Sequence, residues 1–600
     1  MSRLIIFDFE VFKYDSLLGA VVIDNDRVDI VQLWIENHNV NTFHEITDFY
    51  EQHVVDIWIG HNNERYDNMI MQAIIQKTDP YVMSKDIIER DMKKWLNVKL
   101  DYYDLMSQHF VSLKTMEAYM GKNISESKID FNIDRPLTAE EKAEVEKYNR
   151  DDLDQTVDDF YYMKHEFALR LDVIKEFKLP MRCLHITGTS LAEEVLHAEK
   201  IHGIENWVVK PTLYSQLKIK NQAVLDFYLN EDFRKGKNLF VNLCGTEHKL
   251  GAGGIHAAKK KYHVKKALYF DVSGYYNLVM LNYNLLPRSI PDEYKKLYEF
   301  MYHEQLRLKK IDPGKRGVYK TILLSVFGAM MNEHCRFYDP YNGLLVTITG
   351  QIFLVDLLEK LEGKVENVQS NTDGIVVVPL PGVSDEEVKE IVDEWQQRTG
   401  FSLKIETIYD LHQRDVNCYM YRDAGGEIHT LGEAVKDYGK WEWPFWKESY
   451  NSKEPIIIST GIVEYFMNGV LPEETVAKNA KTLRMFQYIA KKLSFDWLEY
   501  EETNLETGQS TLTTVQAVNR AFALKSDKFR GMLYKRKHSG KVTKSKVPNL
   551  PDSVFIYDDE ILSDEAVQKL ADKIDYQYYV DRIYERILEF VSLKKVSNIL

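Results

Sequence analysis

The chain has 600 residues, too many for a single hydrophobic core, and we expect about three to five lobes. Hydrophobic residues make up 44% and charged residues 28%, as in ordinary folded proteins, and no apolar run reaches membrane-spanning length. The net charge of −15 argues against nucleic-acid binding by the whole surface. The four cysteines are far apart and form no CxxC, which argues against a zinc site, an iron–sulfur site or a disulfide framework and favours a reducing cytosol.

The N-terminal region combines short apolar runs with helical segments. Its opening run meets acids at once, which indicates a first strand and not a signal peptide. Strands are predicted at 4–12, 18–23, 30–35 and 57–63, and helical character at 69–75. This order favours an α/β lobe that ends near residue 165.

The rest of the chain contains both strand-like and helix-like segments. After a poorly signalled stretch at 166–265, a buried strand runs into a helix at 267–281. Helices at 292–310 and 320–331, separated by a turn at 312–314, form a predicted antiparallel pair. Strands are predicted to return at 345–430, with Asp373 at the tip of a hairpin within 366–380. The remainder is predicted to be helix-rich and to end in an amphipathic helix at 577–592.

Three N-terminal segments carry the first set of acids. Asp8 and Glu10 lie two apart on a predicted strand, so their side chains share one face and repel each other unless a cation lies between them. Hard oxygen ligands suit Mg²⁺ or Mn²⁺. GHNNERYDNMI follows a strand at 60–70, and YNRDDLDQT places Tyr148 and Asp152 on one face of a helix.

These segments resemble the three exonuclease motifs of family B DNA polymerases, which belong to the DEDD proofreading superfamily: DxE, Nx3[FY]D and YxxxDxxxT. The resemblance implies that four acids bind two metals flanking the scissile phosphate: Asp8, Glu10, Asp67 and Asp152. It further implies that Tyr148 orients the attacking water, and that Asn62 and Tyr66 hold the frayed 3′ strand, Tyr66 by stacking. Thr156 completes the third motif.

A second set of segments resembles the polymerase motifs of the same family. YFDVSGYYNLV resembles motif A, which implies that Asp271 binds metal, that the carbonyl of Val272 is a further ligand and that Tyr276 closes against the sugar 2′ position. NTDG at 371–374 resembles motif C, with Asp373 as the second acid. Together the two acids would hold two Mg²⁺ against the dNTP triphosphate and the primer 3′-hydroxyl.

KTILLSVFG at 320–328 resembles motif B, which implies that Lys320 contacts the triphosphate. Ser325, Phe327 and Gly328 would lie against the nascent base pair. On the preceding helix, Arg307 is a candidate second triphosphate contact, and Lys310 competes for that role.

Two further segments are candidate DNA contacts. LGAGGIHAAK at 250–259 resembles a glycine-rich linker of phage polymerases, in which Gly253 and Gly254 would let backbone amides approach template phosphates. Tyr419 matches the tyrosine of the KxY primer-strand motif, although Asn417 stands in place of its lysine.

Two other positions depart from the polymerase motifs. Asn371 replaces the first acid of motif C, and Leu324 replaces the asparagine of motif B. In addition, Phe327 lacks the hydroxyl of the usual tyrosine.

Basic residues are concentrated in two strips. Nine Lys or Arg and one acid occupy 525–546, where a thumb would grip duplex, and KKKYHVKK occupies 259–266. Local strips of this kind can hold a phosphate backbone in an acidic protein.

The resemblance implies a multidomain α/β and α+β fold with a ribonuclease H-like exonuclease domain and a right-hand polymerase. The predicted domains are an exonuclease at 1–165, a connector at 166–265, palm at 266–291 and 345–430, fingers at 292–344, and thumb with C-terminal helices at 431–600. The predicted protein is a monomeric, compact, phage-like DNA polymerase with proofreading, located in the cytoplasm of an infected bacterial host. It would use two Mg²⁺ or Mn²⁺ per site, primer–template DNA and dNTPs, with no membrane; phage replication proteins are candidate partners.

Three alternatives remain open at this point. One is an active exonuclease on a degenerate polymerase body, which Asn371 and Leu324 motivate. Another is a non-catalytic DNA-binding subunit, which has no use for acids that face phosphate. The third is a protein-primed polymerase, against which the short spacings count, since only 49 residues separate Asp271 from Lys320 and 53 separate Lys320 from Asp373.

Overall fold

The computed structural model describes residues 3–24, 27–92, 95–124, 126–203, 211–231, 233–439, 453–539 and 541–592. The architecture is mixed α/β with several sheets. It divides into two compact units. The first contains Met1–Thr187, Glu442–Glu454 and Lys481–Asp575, and the second contains Gly188–Trp441, Pro455–Ala480 and Tyr576–Leu600. The range 431–600, predicted as thumb and C-terminal helices, is therefore shared between the two units.

A five-stranded sheet forms the start of the first unit. Its strands are β1 Leu4–Val11, β2 Ser16–Asp24, β3 Arg27–Ile35, β4 Ile57–Gly60 and β5 Asp101–Asp104, in the order β3-β2-β1-β4-β5. β1 pairs antiparallel with β2 and parallel with β4. Because strand side chains alternate, Phe7 and Phe9 enter the core while Asp8 and Glu10 leave on the opposite face. The strands predicted at 4–12, 18–23, 30–35 and 57–63 are thus confirmed.

The helices of this region are α1 His44–Gln52, α2 Asp67–Ile75, α3 Pro80–Ile88, α4 Met106–His109, α5 Leu113–Met120 and α6 Ala139–Glu176. The helix predicted at 69–75 is confirmed as α2. The 38-residue α6 starts at a capping box in which Thr138 and Glu141 exchange side-chain and backbone hydrogen bonds. Residue 165, the predicted end of the first lobe, falls inside α6.

The second unit begins with α7 Gly188–Val195 and α8 Gln222–Asn230. Its nine-stranded sheet has the order β14-β13-β12-β9-β11-β10-β8-β7-β6. These strands are β6 Leu239–Leu243, β7 Thr246–Leu250, β8 His256–Ala258, β9 Tyr262–Val272, β10 Val365–Asn371, β11 Gly374–Pro379, β12 Leu403–Asp415, β13 Cys418–Arg422 and β14 Ile428–Leu431. The accompanying helices are α9 Tyr275–Asn282, α10 Asp292–Leu308, α11 Pro313–Ala329, α12 Pro340–Leu361 and α13 Asp385–Thr399.

From residue 455 onward the chain alternates between the two units. Helices α14 Ile456–Val463 and α15 Pro472–Asn479 belong to the second unit. The strands that follow belong to the first: β15 Tyr488–Lys491, β16 Trp497–Asn504, β17 Ser510–Val515, β18 Val518–Ala523, β19 Phe529–Ser539, β20 Lys541–Lys546 and β21 Val554–Ile556. They form a sheet of order β15-β18-β21 and another of order β17-β16-β19-β20. The chain ends with α16 Asp564–Leu570 and α17 Tyr576–Ile587.

Three predictions of secondary structure were wrong in part. The turn expected at 312–314 is the start of α11, because Asp312 caps the helix and Pro313 is its first residue. Within the range 345–430, predicted as strands, residues 345–361 lie in α12 and 385–399 lie in α13. α12 is buried on nearly every side, so its sequence lacks a helical period. The range 431–600, predicted to be helix-rich, instead contains seven strands, β15 to β21, among its described residues. β17 and β20 are exposed along their length, so no alternation of apolar and polar residues marks them in the sequence.

A buried arginine fastens the C-terminal sheets to α5 within the first unit. Arg520 is 0% exposed, and its guanidinium donates to the carbonyls of Ala118 and Lys122 at 3.1 and 2.8 Å. Its remaining donors go to Gln487 Oε1 and the carbonyls of Tyr557 and Asp559. Because a buried guanidinium needs all its donors satisfied, these contacts fix the end of α5.

None of the helices in the described part of the chain combines the length and the apolar character that a bilayer span requires.

Candidate active sites

The first site is a cluster of carboxylates on β1 and α6. Single carboxylate oxygens of Asp8, Glu10 and Asp152 all lie within 4.8 Å of one another. Burial and the charge of Asp152 raise the pKa of Asp8 to about 7, and burial and the charge of Asp8 raise the pKa of Glu10 well above its ordinary value. Because three buried like charges oppose one another, this group is stable in ionised form only beside a cation.

Asp67 belongs to the same cluster. It is the first residue of α2, and its Oδ1 accepts a hydrogen bond from the Phe9 backbone N–H at 3.0 Å, so the helix start is tied to β1 between the two strand acids. Burial and the charge of Asp8 raise its pKa as well. The structure therefore brings together all four acids that the sequence predicted.

A lysine that the sequence did not predict also lies in this site. Lys114 Nζ on α5 donates to Asp152 Oδ1 at 2.6 Å and to Glu117 Oε1 at 3.1 Å, and it lies 4.9 Å from the centre of the Tyr148 ring. Burial opposes and the charge of Asp152 favours protonation of Lys114, and its pKa is raised overall. No local pattern marks Lys114, because it precedes Asp152 by 38 residues and lies on another helix.

The other residues that the exonuclease motifs name have contacts of their own in the first unit. Asn62 has a φ of +68° and donates its backbone N–H to Asp104 Oδ1 at 3.0 Å, so Asp104 holds the loop after β4. Tyr66 packs against the sheet core and its hydroxyl lies 2.9 Å from Ser84 Oγ. Tyr148 lies beside Asp152, and burial and the charge of Asp152 raise the pKa of its hydroxyl. Thr156 donates to the Asp152 carbonyl at 2.8 Å within α6.

The donor set of this cluster fits divalent metal ions. Its ligands would be carboxylate oxygens on rigid elements, which Mg²⁺ and Mn²⁺ prefer. Asn149 fixes one of them by donating to Asp8 Oδ2 at 3.1 Å. Asp8, Glu10, Asp67 and Asp152 could hold the metal, and Lys114 supplies one positive charge in its absence.

The second site lies on the nine-stranded sheet. Asp271 is in β9 opposite Gly374 of β11, and the Val272 N–H donates to the Asp373 carbonyl at 2.9 Å. Asp373 lies in the two-residue turn that joins β10 to β11, since Asn371 pairs with Gly374. Burial and the charge of Asp271 raise the pKa of Asp373. The two acids that the sequence predicted to converge are therefore neighbours at one edge of the hairpin.

Asp271 also has neighbours that the sequence did not reveal. Lys404 of β12 is its cross-strand partner, and Glu406 lies two residues further on. Burial raises the pKa of Asp271, the charge of Lys404 opposes the increase, and that of Glu406 adds to it. The donor set of Asp271, Asp373 and the Val272 carbonyl also fits Mg²⁺ or Mn²⁺.

Two predicted nucleotide-binding aromatics meet beside this site. The rings of Tyr276 on α9 and Phe327 on α11 are stacked, with centroids 4.2 Å apart. Burial and the charge of Asp373 raise the pKa of the Tyr276 hydroxyl. Leu324, at a position where the motif has asparagine, is 62% exposed.

The predicted triphosphate contacts are exposed. Lys320 and Gly328 are on the exposed face of α11, and Ser325 donates to the Thr321 carbonyl at 2.9 Å. Arg307 forms two hydrogen bonds with Glu304, at 2.8 and 2.6 Å. In the described ranges, neither Lys320 nor Arg307 forms an ion pair with Asp271 or Asp373. Lys310 is likewise exposed.

The glycine segment packs against the hairpin tip. A Cβ on Gly254 would lie 2.7 Å from Thr372 Oγ1, so only glycine permits this approach. The Gly253 carbonyl accepts from Gln351 Nε2 at 2.9 Å. Tyr419 on β13 is half-buried, and the charges of Asp373 and Asp271 contribute to its raised pKa after burial. Packing thus accounts for Gly254, and Tyr419 lies near both acids.

Acids neutralise much of the two predicted basic strips. Lys265 pairs with Asp410 at 2.7 Å and Lys266 with Asp385 at 2.6 Å. The 525–546 strip forms the β19–β20 hairpin with its neighbouring residues, where three further pairs form: Arg536–Glu499, Lys544–Glu501 and Lys546–Asp552. The net positive charge of both strips is therefore smaller than their composition suggests.

Comparison with known proteins finds similarity among solved structures and none in sequence. No protein-family model and no curated protein sequence matches the chain. Among solved structures, the chain is similar to a family B DNA polymerase from the hyperthermophilic archaeon Pyrobaculum calidifontis. The identity is 14%, the TM-score is 0.43, and the match covers 99% of this chain and 78% of the other.

Proposed function

We propose that the chain is a DNA-directed DNA polymerase of family B with a 3′–5′ proofreading exonuclease. The observation that most supports it is the occurrence of two separate carboxylate sites, each assembled from residues that the two sets of motifs name. One consists of Asp8, Glu10, Asp67 and Asp152 in the first unit, and the other of Asp271 and Asp373 in the second.

At the polymerase site, bound metal would neutralise the dNTP triphosphate and activate the primer 3′-hydroxyl for in-line attack on the α-phosphate. Asp271 and Asp373 would hold it, and the turn at 372–373 fixes the direction of the second carboxylate. Tyr276, stacked on Phe327, would present its ring to the sugar and disfavour ribonucleotides by steric exclusion. Lys320 would reach the triphosphate as a point charge.

At the exonuclease site, bound metal would supply hydroxide and stabilise the leaving oxygen. Tyr148 would orient the attacking water, and Lys114 would hold Asp152 in place while offsetting the negative charge of the cluster. Asn62 and Tyr66 would hold the 3′ end, on a loop that Asp104 fixes.

A second candidate function is favoured by one observation. Asn371 occupies the first acid position of motif C, and its side chain is held by neighbours, with Thr372 Oγ1 3.4 Å away and His256 as its cross-strand partner. A chain in which this change abolished polymerisation would be an exonuclease on a polymerase scaffold.

A 5′-labelled primer on a longer template, with Mg²⁺ and with or without dNTPs, tests the proposal. We expect wild type to extend the primer with dNTPs and degrade it without them. Asp373→Ala should only degrade and Asp8→Ala should only extend, because each removes one site. Degradation without extension by wild type would overturn the polymerase assignment in favour of the exonuclease.

A further inference from the structure

Glu117 of α5 is a buried carboxylate that neither of the two proposed reactions uses. It is 4% exposed, and its Oε1 accepts a hydrogen bond from Lys114 Nζ at 3.1 Å. Among the described residues, no donor reaches the other carboxylate oxygen, Oε2, which is also buried. A buried carboxylate with a free oxygen is unfavourable by itself, because the hydration that it loses is only partly replaced.

The ammonium group of Lys114 joins Glu117 to the first acidic site. Its Nζ also donates to Asp152 Oδ1 at 2.6 Å, so Lys114 lies between two carboxylates. Burial opposes protonation of Lys114, the charges of Asp152 and Glu117 favour it, and its pKa is raised overall. Lys114 therefore carries a positive charge at neutral pH, directly beside a candidate metal ligand.

Two other cations act on Glu117 through space but are bonded elsewhere. The charge of Lys122 acts on Glu117, and the charge of Glu117 acts on Arg520. Lys122 pairs with Asp158, and the donors of Arg520 go to neutral oxygen atoms, most of them backbone carbonyls. In the part of the chain that the structure describes, Lys114 is thus the cation to which Glu117 is bonded.

The positive charge of Lys114 has a consequence for metal binding. As carboxylates, the four acids of the first site balance the four positive charges of two divalent ions. An ammonium group bonded to one of these acids would leave a positive charge in excess and repel the ions, since charges interact strongly where solvent is partly excluded. The negative charge of Glu117 compensates this excess.

We propose that Glu117 neutralises Lys114, so that Lys114 can orient Asp152 without weakening the binding of divalent metal ions at the first site. Glu117 acts through Lys114 and is not itself a metal ligand. The two residues thereby have separate roles, since the lysine sets the orientation of a ligand and the glutamate preserves metal affinity. This inference rests on the metal site of the proposed function.

Mn²⁺ binding followed by electron paramagnetic resonance tests the role of Glu117. The reference is the full-length chain with Asp271→Asn and Asp373→Asn, in which only the first site remains. The measurement is made at pH 8, because burial raises the pKa of Glu117 to about 7 although the charge of Lys114 opposes the increase. Glu117→Gln keeps the shape of the side chain and should weaken Mn²⁺ binding by at least about 10-fold, because Lys114 is no longer neutralised.

The double variant Lys114→Met/Glu117→Gln distinguishes neutralisation from a structural role. Because both charges are removed, its Mn²⁺ affinity should return to within about 3-fold of the reference. Degradation of a 5′-labelled primer should nevertheless stay low, because Asp152 has lost the lysine that orients it. In Glu117→Gln, by contrast, degradation should recover once Mn²⁺ saturates the site.

Asp158→Asn is the matched control. It removes one acid from α6, close to Lys122, but the side chain is 46% exposed. Mn²⁺ affinity should change by less than about 2-fold, because solvent and salt screen an exposed charge.

The outcomes separate this role from the proposed function. If Glu117→Gln does not fold, Lys114→Met must bind Mn²⁺ more tightly than the reference, because an opposing positive charge is gone. Unchanged affinity in Glu117→Gln, or a double variant that binds as weakly as Glu117→Gln, would overturn the role of Glu117 alone. Absence of Mn²⁺ binding by the reference would overturn the metal site of the proposed function as well.

Discussion

The two acidic sites differ in depth and in charge compensation. In the first, Glu10 and Asp152 are 5% and 8% exposed and Lys114 is bonded directly to the cluster. In the second, Asp271 is half-buried and Asp373 is exposed, and the charge of Lys404 acts on Asp271 across a strand pair. Under the proposed function this difference has a physical reason: a site for one frayed nucleotide can be enclosed and supplied with its own cation, whereas a site for duplex and triphosphate must remain open.

The largest expected effect is a loss of primer extension when a metal ligand of the second site is removed. Asp271→Asn should lower the extension rate by about 1,000-fold or more, because a metal ligand is lost, while degradation stays at the wild-type rate. Single-turnover extension and degradation on the same primer measure both. Glu406→Gln removes a neighbouring acid on the same sheet and should change extension by less than about 5-fold. Equal losses in the two variants would contradict the assignment of Asp271 as a ligand.

Lys114 is the next largest expected contributor, and only in the first site. Lys114→Met should lower degradation by about 100-fold and leave extension unchanged, because Asp152 loses the cation that holds it. The acid limb of the degradation profile should move to higher pH, since Lys114 lowers the pKa values of Asp8 and Asp152. Lys122→Met, which removes an outlying pair with Asp158, is the control. An unchanged degradation rate would show that Lys114 is structural.

The buried carboxylates should also give the metal-free protein a distinctive pH dependence. The folded-state pKa of Asp8, about 7, lies above its ordinary 3.8, so its favourable contribution is complete below about pH 4 and is lost as pH rises through 7. In EDTA at pH 8, Asp8→Asn should therefore be more stable than wild type by about 2 kcal/mol, with the difference vanishing near pH 4.

Urea unfolding across this pH range measures the difference. Asp134→Asn, in an exposed pair with Lys13, is the control and should change stability by less than about 1 kcal/mol at every pH. A constant difference for Asp8→Asn across the range would contradict the raised pKa.

The smallest expected effect concerns Asn371. If the hairpin directs only Asp373 at metal, Asn371→Asp should change extension by less than about 3-fold, because the restored acid adds a neighbour and not a ligand. Extension at limiting Mg²⁺ measures it. A gain of about 100-fold would show that Asn371 weakens the site and would favour the alternative of an exonuclease on a degenerate polymerase scaffold.

The sequence revealed the acids well and their surroundings poorly. Asp8 and Glu10 could be assigned to one face because residues two apart on a strand share a face. Asp373 could be assigned to a turn because a polar stretch precedes the β-branched run of β11. Lys114 and Lys404 could not be found, because each reaches its acid through tertiary structure that no local pattern encodes.

The errors in the fold have similar physical causes. α12 is buried on every side, so its apolar run carries no period from which helix and strand could be distinguished. Among the C-terminal strands, β17 and β20 are exposed and β18 is fully buried, so none of these three shows the apolar–polar alternation of a half-buried strand. The pairing that forms these sheets links residues about 40 apart, such as Trp497 and Arg536. Strand pairing between residues so far apart cannot be predicted from a short segment of sequence.

The central claim is that the chain has two independent carboxylate metal sites, and Mn²⁺ binding followed by electron paramagnetic resonance tests it most directly. Wild type is compared with an Asp8→Asn/Asp152→Asn double variant and an Asp271→Asn/Asp373→Asn double variant. We expect each double variant to bind fewer Mn²⁺ ions than wild type. The first should lose only the ions of the first site, and the second only those of the second site. Wild-type Mn²⁺ binding in both double variants would contradict it.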